Sequence, residues 1–326
     1  MFRTEIKIVP SDLNLTLHDG VVTIGSCFAE VIGTKLKENK APVLVNPFGT
    51  IFNPVSVASL LDACTGQSHF LEHTLLQREG IWYNYNLHSS ISSPDKQKLL
   101  ELMEQRISKT AAHIQTARLL IVTLGTAIGY QLAETGEVVA NCHKLPAQLF
   151  NRNLIQAGTI TESLSKAFNN LRALNQNLQI ILTVSPVRHV KETLQLNSVS
   201  KATLLVACHA LSEKHSYVSY FPAFEIMMDD LRDYRFYGQD MLHPTSVAED
   251  YIWEKFMKAY YHPSFREFIQ EWTKIKRATE HRPFHPDTPA HQTFIKNTLL
   301  QLDQLSGKYD LDITSEKDML LQQLAK

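Results

Sequence analysis

Three short, nearly unbroken aliphatic runs, Val21–Gly25, Leu119–Leu124 and Gln179–Val184, constrain the fold of this chain most. Strands with one wet face alternate apolar and polar residues, whereas these are apolar at almost every position, as strands buried on both faces are. Between them lie longer stretches with apolar residues at helical spacing, such as 27–37 with Phe28, Val31, Ile32 and Leu36. Further helices are expected at 55–63, 94–117 and 161–174, with a short strand at 42–45 and an edge strand or hairpin arm at 81–85. This alternation predicts an α/β fold, a parallel sheet covered by helices on both faces. From 262 onward the pattern is helical only: 264–279 and 290–305 flank a Pro- and His-rich connector at 281–289, and the last twenty residues read as another helix. The expected organisation is an α/β domain over 1–261 and a helical C-terminal extension over 262–326, with a surface available for a homodimer.

With 326 residues, 32 of them basic and 33 acidic, the chain can bury a large core and has no excess of positive charge. That balance argues against a strongly basic nucleic-acid surface. The segment Met1-Phe2-Arg3-Thr4-Glu5-Ile6-Lys7 interleaves charge with apolar residues, unlike a signal peptide, and the longest apolar runs are strand-length. Cys27, Cys64, Cys142 and Cys208 form neither a disulfide framework nor a CxxC zinc pattern. The expectation is a soluble cytoplasmic protein with no cofactor, metal, nucleic-acid or membrane partner.

Ligands of such sheets bind beyond the carboxyl ends of the strands. Ser26, the loop Asn46-Pro47-Phe48-Gly49-Thr50, Gly125 and Ser185 all follow strand ends and are expected on one rim. Ser26 stands on a sharp strand-to-helix turn, where α/β hydrolases keep a nucleophile. A hydroxyl attacks only when a base takes its proton, and that base is usually a histidine oriented by a carboxylate. Asp240-Met241-Leu242-His243-Pro244 supplies such a pair, with Asp240 in reach of His243 Nδ1 and Nε2 left free. Taken alone, an Asp-x-x-His is more often a turn residue beside a surface imidazole; Ser26 and the chain order tip the balance toward a catalytic set.

Gly25-Ser26-Cys27-Phe28-Ala29 resembles the motif that names the GSCFA-domain proteins, which look like members of the SGNH (GDSL-like) hydrolase superfamily. The resemblance runs from Ile24 to Tyr261 through Thr123-Leu124-Gly125-Thr126-Ala127, Asn141-Cys142-His143-Lys144, Ser185-Pro186-Val187-Arg188-His189 and Asp240-Met241-Leu242-His243-Pro244. It implies a flavodoxin-like three-layer α/β/α sandwich with Ser26 as nucleophile, His243 as base and Asp240 behind it. It also implies an oxyanion hole from the Ser26 N–H, the Gly49 N–H and an asparagine amide. The chain departs from the pattern at Ala127, which stands where that asparagine is expected. Asn141 is the leading substitute, with Thr126 and His143 behind it; turn-forming roles for Gly49 and Asn141 stay equally open.

Cys27 is expected to pack in the core, as free cysteines commonly do. Arg188 and His189 are candidates for binding a substrate carboxylate or phosphate, against a surface salt bridge. Asn84 and His88 are weaker pocket-wall candidates in a segment read mostly as packing. The leading expectation is a hydrolase of an acyl or acetyl ester on a carbohydrate or other small molecule. Acyl transfer at the same site, and a non-catalytic binding protein on the same fold, are the alternatives.

Overall fold

The computed structural model describes residues 4–67, 74–285 and 287–324. The sequence readings that touch residues 1–3, Pro286 and 325–326 lie, for those residues, outside the described part. The elements in chain order are β1 (Val21–Gly25), α1 (Cys27–Glu38), β2 (Val43–Val45), α2 (Pro54–Cys64), β3 (Leu75–Arg78), β4 (Ile81–Asn84) and α3 (Lys96–Thr116). Next come β5 (Leu119–Leu124), β6 (Ile128–Leu132), β7 (Val138–Val139), β8 (Phe150–Leu154), α4 (Ala157–Leu174) and β9 (Gln179–Val184). The chain continues with α5 (Leu194–Lys214), β10 (Val218–Tyr220), a short turn α6 (Ala223–Glu225), α7 (Ser246–Tyr260), α8 (Pro263–Glu280), α9 (Pro289–Tyr309) and α10 (Thr314–Leu321).

The main sheet is parallel throughout and runs β10-β9-β5-β1-β2. Counting only its five strands in order of appearance, this is the flavodoxin-like order, with the topological switch point between β1 and β5. The register pairs Val22 with Leu120 and Gly25 with Thr123, and β5 pairs in turn with β9, Leu124 opposite Val184. Val22, Ile24, Leu120, Val122, Leu182 and Val184 point to one side, where they pack with apolar residues of α2, α3, α4 and α5. On the other side α1 lies against β1, β2 and β5. The Lys35–Asp250 ion pair ties α7 to α1. Because the strands are parallel, Ser26, Asn46, Gly125 and Ser185 share one rim, as the sequence predicts.

Two small antiparallel sheets stand apart from the main one. The β3–β4 hairpin accounts for the strand expected at 81–85. The sheet β7-β6-β8 was not anticipated, nor were α5 and β10. Contacts divide the chain into two units, Met1–Pro10 with His18–Ala259, and Ser11–Leu17 with Tyr260–Lys326. In the second, Phe265, Phe268, Trp272, Ile295 and Leu302 form a buried core, and Leu15 joins it by backbone bonds to Tyr260 and His262 at 2.8 Å each.

Candidate active site

At the carboxyl rim of the first unit lies a half-open cavity of about 640 Å³, walled by Cys27, Thr50, Phe52, His88, Thr126, Ile128, Tyr130, Val187, Arg188, His189, Leu242 and His243, among others. Its position beside the β1/β5 switch point follows from the sheet order.

Asp240 and His243 form the pair that the sequence predicts. His243 Nδ1 lies 2.6 Å from Asp240 Oδ2, and Asp240 Oδ1 accepts from the Leu242 and His243 N–H groups at 2.9 and 3.0 Å. Met241 adopts φ 57°, the left-handed turn that brings the two side chains together. The hydrogen bond from His243, then those two backbone N–H groups, hold the Asp240 carboxyl down at about 2. A carboxylate fixed on Nδ1 sets the tautomer that leaves Nε2 as acceptor. Among the described residues nothing bonds Nε2, and His243 lines the cavity.

The first turn of α1 departs from the expectation. Gly25 has φ 132°, and a Cβ there would fall 2.1 Å from the Thr123 carbonyl oxygen, so the β1–β5 ladder closes tightly at this point. The ladder reaches one residue further, the Ser26 N–H donating to Thr123 O at 2.9 Å. Ser26 is still extended, with φ −68° and ψ 175°; its hydroxyl accepts from the Phe28 N–H at 3.4 Å and caps α1. It is 1% exposed and is not among the cavity walls. Cys27, one residue on, is half-buried and lines the cavity rather than packing in the core.

The predicted oxyanion donors are spent elsewhere. The Ser26 N–H belongs to the sheet, and the Gly49 N–H closes a turn on Asn46 O at 2.8 Å. A Cβ on Gly49 would come within 2.4 Å of His88 Cβ, so the glycine answers a packing need. Asn141 donates to Ser89 Oγ at 3.2 Å and accepts from the His143 N–H at 2.8 Å. His143 is buried between Asn84 O, 2.8 Å from Nε2, and Ser89 Oγ, 3.0 Å from Nδ1, and burial lowers its pKa. Asn141, His143 and Asn84 therefore knit loops together and do not line the cavity. The backbone N–H of Thr50, a cavity residue, has no partner among the described residues, and that of Cys27 meets only its own thiol.

Thr126, Arg188 and His88 do reach the cavity. Thr126 Oγ1 lies 3.0 Å from Ser200 Oγ, whose oxygen also takes the Ala127 N–H at 2.8 Å. The Arg188 guanidinium lies 4.0 Å from the Tyr237 ring centroid and 5.2 Å from that of Tyr234. Burial, then the Lys201 ammonium, push His189 down to about 4, and its Nε2 donates to Gly125 O at 3.1 Å. His189 is thus a neutral imidazole at neutral pH.

Sequence reasoning missed Lys201. This α5 lysine is 1% exposed and donates to Gly125 O at 2.8 Å and Ser185 O at 2.7 Å, joining the ends of β5 and β9 beneath the cavity. Its signal was faint, because α5 had not been recognised as a helix. No group of three metal-ligating side chains gathers among the described residues, and no helix there is long and apolar enough to cross a membrane.

Comparison with known proteins gives a family but little more. No curated protein sequence matches the chain. Among solved structures it is similar to an acetyl xylan esterase from the rumen bacterium Butyrivibrio proteoclasticus, at 13% identity and a TM-score of 0.33. That match covers 79% of this chain and 66% of that one, so the chain spans just under two thirds of the esterase's length. Residues 272–326 match the family described as GSCFA domain protein, C-terminal domain. The GSCFA family itself matches over residues 20–256, a span holding both the turn at Ser26 and Cys27 and the Asp240–His243 pair, and the chain belongs to that family.

Proposed function

We propose that this chain is an ester hydrolase of the SGNH type, acting at the rim cavity on an acyl group carried by a carbohydrate or other small alcohol. One observation carries the reading: a carboxylate-oriented histidine faces a half-open cavity at the switch point, across from the first turn of a helix that bears nucleophilic side chains. His243 Nε2 takes the nucleophile's proton and returns it to the leaving alcohol, and Asp240 stabilises the imidazolium in between. The N–H groups of Cys27 and Thr50 are the donors left to meet a developing oxyanion. Phe52, Ile128 and Val187 offer an apolar wall to the acyl chain, and Arg188 offers a cation in the same lining.

The test is hydrolysis of p-nitrophenyl acetate by the full chain. His243→Asn should lower kcat/KM by roughly 10³–10⁶-fold. Asp240→Asn should lower it by roughly 10²–10⁴-fold, through the wrong tautomer. Equal rates in wild type and both variants would end the proposal. A second reading, a non-catalytic ligand-binding protein, is favoured by the internal pairing of the Ser26 N–H, the Gly49 N–H and Asn141. It predicts that equality, with ligand binding intact.

A further inference from the structure

We propose that Cys27, and not Ser26, is the nucleophile of this site, with His243 as its base and the buried Lys201 beside the thiol. The inference rests on the acyl-hydrolase reading above and names its attacking atom.

Neighbouring residues at a strand-to-helix turn face different ways, and here the turn gives the cavity to the second. Ser26 ends the ladder with its hydroxyl turned onto the Phe28 N–H, whereas Cys27 opens α1 on the wall shared with His243. The thiol has the backbone N–H groups of Cys27 and Phe28 against it, which favour the thiolate, though burial outweighs them. Its nucleophilicity exceeds that of a hydroxyl, so less base assistance is required.

Lys201 is the independent observation. Burying an ammonium is costly unless a charge partner compensates. Lys201 has two carbonyls and, among the described residues, no carboxylate; Cys27 is the neighbour whose charge favours the ammonium, whereas His189 is disfavoured as a cation beside it. A thiolate at Cys27 would complete that charge. The other cysteines lack this setting: Cys64 and Cys208 are buried, burial pushing the first up to about 12, and Cys142 stands outside the cavity. Burial also raises the Cys27 thiol, so the proton leaves with attack and not before it.

The chemistry balances without a co-reactant beyond ester and water. The S–H proton passes to His243 Nε2 as sulfur bonds the carbonyl carbon and the C=O pair moves onto oxygen. Collapse breaks the bond to the alcohol, which takes the proton from His243 and leaves a thioester on Cys27. Water, deprotonated by His243, attacks that thioester; the C–S bond breaks and the sulfur recovers its proton.

Two probes test this on the full chain at pH 7.5. With limiting iodoacetamide, peptide mass spectrometry should find Cys27 alkylated at least about tenfold faster in the wild type than in His243→Asn, because the base takes the proton as sulfur attacks. With p-nitrophenyl acetate, the trapped acetyl should sit on the Cys27 peptide and be released by neutral hydroxylamine, as thioesters are. In Cys27→Ser the adduct should become hydroxylamine-resistant, and this conservative change keeps the fold. Alkylation of Cys27 unaffected by His243→Asn, or an acetyl on Ser26 in the wild type, overturns the assignment. In the latter case turnover that still depends on His243 leaves the hydrolase reading standing. Turnover indifferent to His243→Asn and Asp240→Asn removes that reading and Cys27 with it.

Discussion

Lys201 is the side chain with most to lose from its surroundings, and its cost depends on pH. Burial pulls it down to about 7, against about 10.4 for an unfolded lysine. Below about 7 both states hold the proton and the penalty is constant. Between those values the unfolded chain binds a proton that the folded chain has released, so stability rises with pH, by at most ~1.4 kcal/mol per unit. Of the neighbouring titratable groups, His189 is pushed down to about 4, below this window, and Cys27, whose thiol burial moves up, is present in both proteins compared. Lys201→Met removes the titration, whatever fixed offset it adds through the Gly125 and Ser185 carbonyls. Urea midpoints at pH 6.0, 7.5 and 8.5, buffer values chosen to bracket about 7, should show wild type gaining on Lys201→Met as pH rises. A gap independent of pH would mean that Lys201 stays charged throughout.

At the scale of elements, what the sequence disclosed depended on how local the causes were. β1, β5 and β9 were legible because a strand buried on both faces is apolar at every position. The Asp240–His243 pair was legible because a turn of four residues makes all of its hydrogen bonds. α5 was not, because the first half of its inward stripe carries Asn197, Ser200 and Lys201 while Leu194, Leu196 and Val206 face outward, blurring the amphipathic pattern. The choice between Ser26 and Cys27 was also hidden. It turns on whether the β1–β5 ladder ends at Gly25 or one residue later, and that is set by Thr123, far along the chain. The bonds that Asn141 and His143 make were hidden for a similar reason, their partners Ser89 and Asn84 lying far along the chain. The same reach distinguishes the start of α2. Asn53 caps it by accepting from the Ser56 N–H at 2.8 Å and also donates to Val139 O at 3.1 Å, linking the helix to β7. An ordinary cap is worth about 1 kcal/mol, but this buried one leaves two polar groups unpaired when lost. Asn53→Ala should therefore cost about 2–3 kcal/mol in urea denaturation. A loss no larger than that of an exposed cap would show that β7 does not lean on α2.

On the scale of the whole molecule, the chain is not cut once but threaded. It leaves the first unit after Pro10, gives Ser11–Leu17 to the second, and returns to build the sheet from His18 onward. The second unit is a helical assembly with an aromatic spine: Phe268 lies 5.9 Å from Phe265, 6.1 Å from Trp272 and 4.9 Å from Tyr309 between ring centroids. Leu15, fully buried, enters that unit from the far end of the sequence, donating its N–H to Tyr260 O and accepting from the His262 N–H. The helices of 263–321 thus need a segment made some 250 residues earlier, a non-local contact that carries the loop-closure cost of a long chain. Leu15→Ala opens a cavity in that unit and should cost about 2–5 kcal/mol, local to it. Hydrogen exchange followed by mass spectrometry reads the two units separately. Amides of α8 around Phe265 and Trp272 should exchange faster by the corresponding factor, about 30-fold or more, while β5 and β9 keep their protection. Faster exchange in the sheet strands to the same extent would mean that both units unfold as one, and the threading would then bind them into a single cooperative body.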